Sequence, residues 1–205
     1  MFGVTGLGRA LLEHLQLTAV AVALASAIGM PLGIHIARHR FLAGPVLAVV
    51  SAIQTVPSVA LLGFLIPVLG IGWKPAVLAL FLYALLPIVR NTFAAIEQVD
   101  AAAVEAARGM GMTDAQILWR VTLPQSLPVL MAGIRTSTVW SVGVATLAAL
   151  IGAGGLGTFI FQGIAMVNTR TILAGAIPAA LLALALDATL AIAQRVATPR
   201  GLRAR

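Results

Sequence analysis

Glu105-Ala106-Ala107-Arg108-Gly109-Met110-Gly111-Met112-Thr113-Asp114-Ala115-Gln116-Ile117-Leu118-Trp119-Arg120-Val121-Thr122-Leu123-Pro124 is a polar, helix-prone island between strongly apolar segments. A chain that interrupts membrane spans in this way offers a surface to something outside the bilayer. The flanking sequence makes the bilayer the main solvent. Sixty per cent of the 205 residues are hydrophobic and 9% are charged, with a mean hydropathy of +1.05. That is more apolar surface than one water-soluble core of this length can hide.

Five stretches approach or exceed the roughly 20 apolar residues that a helical span requires: 15–37, 44–69, 75–89, 127–151 and 172–193. The first is too long, and too poor in N-terminal positive charge, to read as a cleaved signal peptide. Five spans put the termini on opposite sides, and the positive-inside rule chooses the orientation. With the N-terminus outside, the inner segments hold Arg38, Arg40, Arg90, Arg108, Arg120, Arg195, Arg200, Arg203 and Arg205, nine in all. The outer segments then hold three, Arg9, Lys74 and Arg170. The expected fold is therefore an all-α membrane protein of about five transmembrane helices, N-out and C-in, with the Glu105 island in the cytoplasm.

No solenoid-period repeat or low-complexity linker divides the chain, so residues 1–205 read as one transmembrane domain, with an Arg-rich tail after Thr198. Its cytoplasmic loop spans about 91–126 and a glycine-rich extracytoplasmic segment spans about 152–171. A net charge of +7 and a pI near 11.7 would ordinarily point to nucleic acid. Here topology and contact with anionic lipid account for it, so no nucleic-acid partner is expected. Cysteine is absent, which excludes disulfides, thiolate metal sites and cysteine nucleophiles. His35 and His39 flank Arg38 and Arg40 at the inner end of the first span, and His14 stands beside Glu13 at its outer end. Neither group has metal-site spacing, so no metal is expected.

Within the island, Asp100 is placed to N-cap an alanine-rich helix through Ala107, which Gly109 or Gly111 ends by adopting a positive φ. Thr113 and Gln116 have the spacing of a capping box opening a second short helix through Ile117, Leu118 and Trp119. Leu123-Pro124 is expected to stop that helix. The result is a compact knob with apolar side chains on one face, which marks a docking site.

At this point the residues identify a resemblance. Glu105-Ala106-Ala107, three residues, Gly111, nine residues, Val121, one residue, Leu123-Pro124 resembles the EAA loop in the membrane subunits of ATP-binding-cassette (ABC) importers. It departs from the family pattern only in Val121, where the family has Ile. The resemblance implies the type I ABC importer permease fold, with coupling helices seated in a separate ABC ATPase subunit. Glu105, Ala106, Ala107, Gly111, Val121, Leu123 and Pro124 are the implied coupling residues. The family also implies an extracytoplasmic substrate-binding protein and a bacterial cytoplasmic (inner) membrane setting. Two further stretches, Gln54-Thr55-Val56-Pro57-Ser58 and Ile151-Gly152-Ala153-Gly154-Gly155-Leu156-Gly157, resemble the branch that takes up glycine betaine, choline, carnitine and related osmoprotectants.

Independently of the resemblance, the only lysine, Lys74, follows Trp73, and the chain contains no Walker A pattern. It is thus expected to have no catalytic residues and to bind no cofactor itself. ATP and Mg belong to the partner ATPase.

In the second span, Pro57 should leave the Ile53 carbonyl free and kink the helix beside Gln54, Thr55 and Ser58. Those three residues either line a pathway or form interhelical hydrogen bonds. Gly133, Ser137 and Ser141 form a small-residue stripe suited to close helix packing, and the two serines are also pathway candidates. Tyr83 and Trp140 offer aromatic faces either to a quaternary ammonium or to packing. Arg135 and Asp187 lie at matching depth on consecutive spans, which suggests a structural ion pair over a substrate or proton role. Gly152, Gly154 and Gly157 lack the preceding strand of a nucleotide fingerprint; they are expected to form a tight turn at the outer mouth, where Phe159 and Phe161 either gate or anchor.

The leading functional reading is a permease forming a solute path, and five spans are too few to enclose one comfortably. A second permease, most simply in a two-fold homodimer, is therefore expected. The alternatives are an ABC permease for another small, amino-acid-like solute, an autonomous ion-coupled transporter or, last, an intramembrane enzyme.

Overall fold

A computed structural model describes residues 4–198, which form α1 (Val4–Arg38), α2 (Ala43–Thr55), α3 (Ser58–Leu69), α4 (Trp73–Glu97), α5 (Ala101–Gly109), α6 (Asp114–Ile117), α7 (Leu123–Ala145), α8 (Gly157–Ala165) and α9 (Thr169–Ala197). A 3₁₀ turn (Arg40–Leu42) joins α1 to α2, and another (Leu147–Ile151) follows α7. The described residues are helical with no strand. Four continuous helices are long and apolar enough to cross a membrane, and α2 with α3 makes a fifth if the pair counts as one span. The C-terminal tail, including Arg200, Arg203 and Arg205, lies outside the described residues.

The second span differs from the expected kink. α2 and α3 meet at 95°, because Val56 and Pro57 both take extended backbone (ψ 127° and 135°). Proline restricts its predecessor to that region. The Ile53 carbonyl is not free either, since the Val56 N–H donates to it at 3.3 Å.

α4 runs through the centre of the bundle. Three apolar clusters stack along it: Leu17, Ala21, Leu62 and Leu80; then Ala25, Val50, Leu85 and Ile88; then Ile36, Ala43 and Val89. Lipid tails are as apolar as these side chains, so association depends on close packing rather than on the hydrophobic effect. At the α1–α4 crossing, a Cβ on Gly33 would lie 2.5 Å from Thr92 Cβ. At the α4–α7 crossing, one on Gly133 would lie 2.6 Å from Asn91 Cβ. One turn on, the buried Ser137 hydroxyl donates to the Ala84 carbonyl at 2.7 Å. Gly133 and Ser137 therefore face α4, and Ser141 is buried one turn further on.

The two ends of the bundle differ in charge. Gly72 donates to Ile151 at 2.7 Å and Gly155 to Glu13 at 3.1 Å, which gathers the α1 start, the α3–α4 turn and the segment after α7 at one end. Arg9 and Lys74 lie there. Arg38, Arg40 and Arg108 lie at the other end, around α5 and α6. At that end α4 continues as helix to Glu97.

Candidate coupling surface and membrane groove

The cytoplasmic hairpin is built by its caps. Asp100 accepts the Ala102 N–H at 2.9 Å, and α5 extends to Gly109, two residues beyond the expected Ala107. Gly111 takes a φ of +80°, the left-handed region in which glycine carries no Cβ penalty. Thr113 and Gln116 form a reciprocal capping box, with the Gln116 N–H to Thr113 Oγ1 at 3.3 Å and the Thr113 N–H to Gln116 Oε1 at 2.9 Å.

Leu123-Pro124 does not end the second helix. A π-turn over Leu118–Thr122 joins α6 to α7, and helix continues from Asp114 to Ala145. Pro124 directly follows that π-turn, in which the Leu123 N–H reaches back five residues to the Leu118 carbonyl; the widened turn accommodates the proline ring and its missing N–H without ending the helix. The expected apolar face is also divided. Trp119 is 70% exposed, whereas Ile117 is buried and Leu118 half-buried. Glu105, Ala106 and Gly111 are exposed, Ala107 is buried, and Val121, Leu123 and Pro124 are half-buried.

Arginines at and just after the C-terminal end of α1, Arg38 and Arg40, fasten this region. Arg38 Nη2 donates to the Asp114 carbonyl at 3.3 Å, while Arg108 lies 3.7 Å from the Asp114 carboxylate. Arg40 pairs with Glu97 through Nη2 at 2.9 Å and Nε at 3.1 Å. Arg38, Arg108 and Asp114 border a cavity of about 510 Å³ between the spans and the hairpin. Arg40 is largely solvated, so Glu97→Gln is expected to cost about 1 kcal/mol or less in thermal unfolding.

Of the membrane candidates, Gln54 and Tyr83 come together at the α2–α3 break. Gln54 Nε2 donates to the Tyr83 carbonyl at 2.9 Å, and the Tyr83 hydroxyl donates to the Val56 carbonyl. They brace the break from α4. The exposed Thr55 hydroxyl donates to its own helix at Ala52 (2.7 Å), and Ser58 opens α3. Ser137 is enclosed in the α4–α7 contact and Ser141 is buried, whereas Trp140 is 59% exposed. Arg135 and Asp187 stand as a bidentate pair, Nε to Oδ1 and Nη2 to Oδ2 both at 2.8 Å. Gln194 accepts from Arg135 Nη1 at 3.2 Å and donates to the Pro128 carbonyl at 3.2 Å. No group of metal-ligating side chains occurs among the described residues.

Sequence reasoning missed a clasp at the outer end. His14 is fully buried. Its Nε2 lies 3.0 Å from the Val142 carbonyl, and its Nδ1 accepts the Leu156 N–H at 3.3 Å. One neutral tautomer satisfies both contacts. Glu13, paired with Arg9 at 2.9 Å, accepts the Gly155 N–H. Together they pin the turn of Gly152, Gly154 and Gly155, all at positive φ, to α1. Beyond it the glycine-rich segment contains α8, in which Phe159 packs against Leu156, Ala10 and Ala179. The adjacent Glu13-His14 pair was a signal, but nothing in the sequence linked it to residues 142 apart.

A bundle of four continuous membrane-length helices and a bent α2–α3 pair, with a helical hairpin at one end, is an architecture suited to the membrane component of a transporter. The profile of the binding-protein-dependent transport system inner membrane component matches residues 29–202, and the chain belongs to that family. It is similar to the osmoprotectant import permease protein OsmW of Salmonella typhimurium, 49% identical over 196 residues that cover 93% of this chain and 91% of the relative. It is also similar to the choline transport system permease protein OpuBB of Bacillus subtilis, 45% identical over 191 residues covering 93% and 88%. Among solved structures, an inward-facing MetNI methionine ABC transporter chain superposes with a TM-score of 0.85 at 26% identity, covering 95% of this chain and 97% of that one.

Proposed function

We propose that this chain is the permease subunit of an ATP-driven importer carrying a quaternary-amine osmoprotectant such as glycine betaine, choline or carnitine across the bacterial inner membrane. The observation that carries the reading is the hairpin's solvent face. Glu105 and Ala106 are exposed there, and Met110 and Trp119 are 76% and 70% exposed. Apolar surface held open in water marks a docking site, and Glu105 has no partner among the described residues. A separate ABC ATPase seats on this face, binds ATP and Mg, and performs the hydrolysis; this chain is non-catalytic. Two copies enclose the path, and an extracytoplasmic binding protein delivers solute to the outer end. The solute class is supported by the named roles of the relatives, which match over more than 90% of the chain.

The test is uptake of labelled glycine betaine, choline and carnitine into proteoliposomes containing the permease, its binding protein and the ATPase. Accumulation of at least one solute is expected only with Mg-ATP and the ATPase present. Equal uptake without the ATPase, driven by an ion gradient, would overturn the reading.

A further inference from the structure

The Arg135–Asp187 pair is about a third accessible, 30% and 35% for the two side chains, although it lies deep in the spans. Arg135 is twelve residues past Leu123, about 18 Å along α7, and Asp187 is ten residues before Ala197, about 15 Å along α9. Charged groups within a bilayer face protein or water rather than hydrocarbon. This open pair therefore marks the side of the bundle turned away from lipid. α9 carries the contrasting surface, with Leu173, Ile177, Leu181 and Leu184 exposed.

The stripe on α7 beside the pair has the same character. Ala132, Thr136, Val139, Trp140 and Gly143 are its exposed residues, spaced so that they share one helix face. Four of them, with Arg135 and Asp187, line a groove of about 430 Å³. Within it stand a guanidinium, a carboxylate and an accessible indole. Of the five guanidinium N–H groups, three are engaged by Asp187 and Gln194. One on each terminal nitrogen remains to donate to a carboxylate. Asp187 and the Trp140 ring supply an anion and a π face for an ammonium group.

We infer that this groove is a zwitterion site within the translocation path, taking solutes that carry a carboxylate together with a quaternary ammonium. The inference rests on the reading of the chain as a quaternary-amine permease. Because Arg135 sits directly on Asp187, it largely cancels the carboxylate's attraction for a simple cation; the pair's dipole is complemented by a ligand whose two charges run antiparallel. Glycine betaine and carnitine meet that requirement. Choline, which has no carboxylate, leaves the Arg135 donors unused.

The test is equilibrium binding of labelled glycine betaine to the permease–ATPase complex in nanodiscs without binding protein, with carnitine and choline as competitors. Glycine betaine and carnitine are expected to bind at least about tenfold more tightly than choline. The double variant Arg135→Gln/Asp187→Asn keeps an uncharged, similarly shaped pair. It should weaken glycine betaine binding about tenfold and change choline binding by less than about twofold. Trp140→Leu, at a side chain with no hydrogen bond among the described residues, should weaken all three and provides a second arm if the double variant fails to fold. Wild-type binding by either variant, equal affinity for choline and glycine betaine, or proportional loss of both in the double variant would overturn the assignment. If the uptake assay succeeds while this discrimination is missing, only the zwitterion site falls. Uptake of none of the three solutes removes the underlying reading as well.

Discussion

Glu105→Arg is expected to lower ATP-driven uptake by at least about tenfold, equivalent to about 1.4 kcal/mol of lost coupling, while leaving membrane insertion and thermal stability unchanged. Glu105 is exposed on α5 and has no hydrogen bond or ion pair among the described residues. Its replacement therefore breaks nothing within the chain. Reversing a charge inside a docked interface sets like charges together or strands a partner cation, and either is far more costly than the loss of a solvated surface pair. Two measurements check this: co-purification of the ATPase with the variant, and uptake at saturating Mg-ATP. Insertion with normal transport would remove Glu105 from the coupling surface. Loss of stability before assembly would mean that the residue serves the fold instead.

The second large effect belongs to packing at the outer end. Gly157→Val is expected to destabilise the detergent-solubilised chain by about 3 kcal/mol, at the upper end of overpacking costs, and is read as a lowered thermal unfolding midpoint. Gly157 opens α8 in a buried position, and a Cβ built there would penetrate the backbone of Thr146. Backbone has no rotamer by which to withdraw, so α8 must separate from the end of α7. Gly8→Ala is the matching control. Nothing lies within 4 Å of a Cβ at that position, so the change is expected to be neutral or to gain up to about 1 kcal/mol of helix propensity. Equal unfolding midpoints for the two variants would refute the packing account.

These two sites also mark where the sequence was legible and where it was not. The caps of α5 and α6 were readable because a cap joins residues two or three positions apart, and Asp100, Thr113 and Gln116 make those bonds. The Arg135–Asp187 contact was readable from depth alone, since a constant rise per residue places both charges at one level. Helix continuity through Pro124 was not readable. Proline ends or kinks a regular α-helix when it falls in the interior, and the π-turn that accommodates it here has no letter of its own. The burial of Ile117 beside the exposed Trp119 depended in the same way on what packs above them.

By itself, then, the amino-acid order determined the solvent, the approximate number of spans, their orientation by arginine placement and the caps of the inner hairpin. Each of those follows from composition or from interactions between near neighbours. Only the tertiary structure decided the 95° turn between α2 and α3, the burial of Ser137 against α4, the clasp of His14 on the outer turn and the side of α7 left open. In a membrane chain nearly every helix face is apolar, because lipid and protein interior are alike in polarity. Hydropathy therefore cannot say which face looks inward; that is settled by where backbones approach closely enough to require Gly33, Gly133 and Gly157, and by where charge is left uncovered.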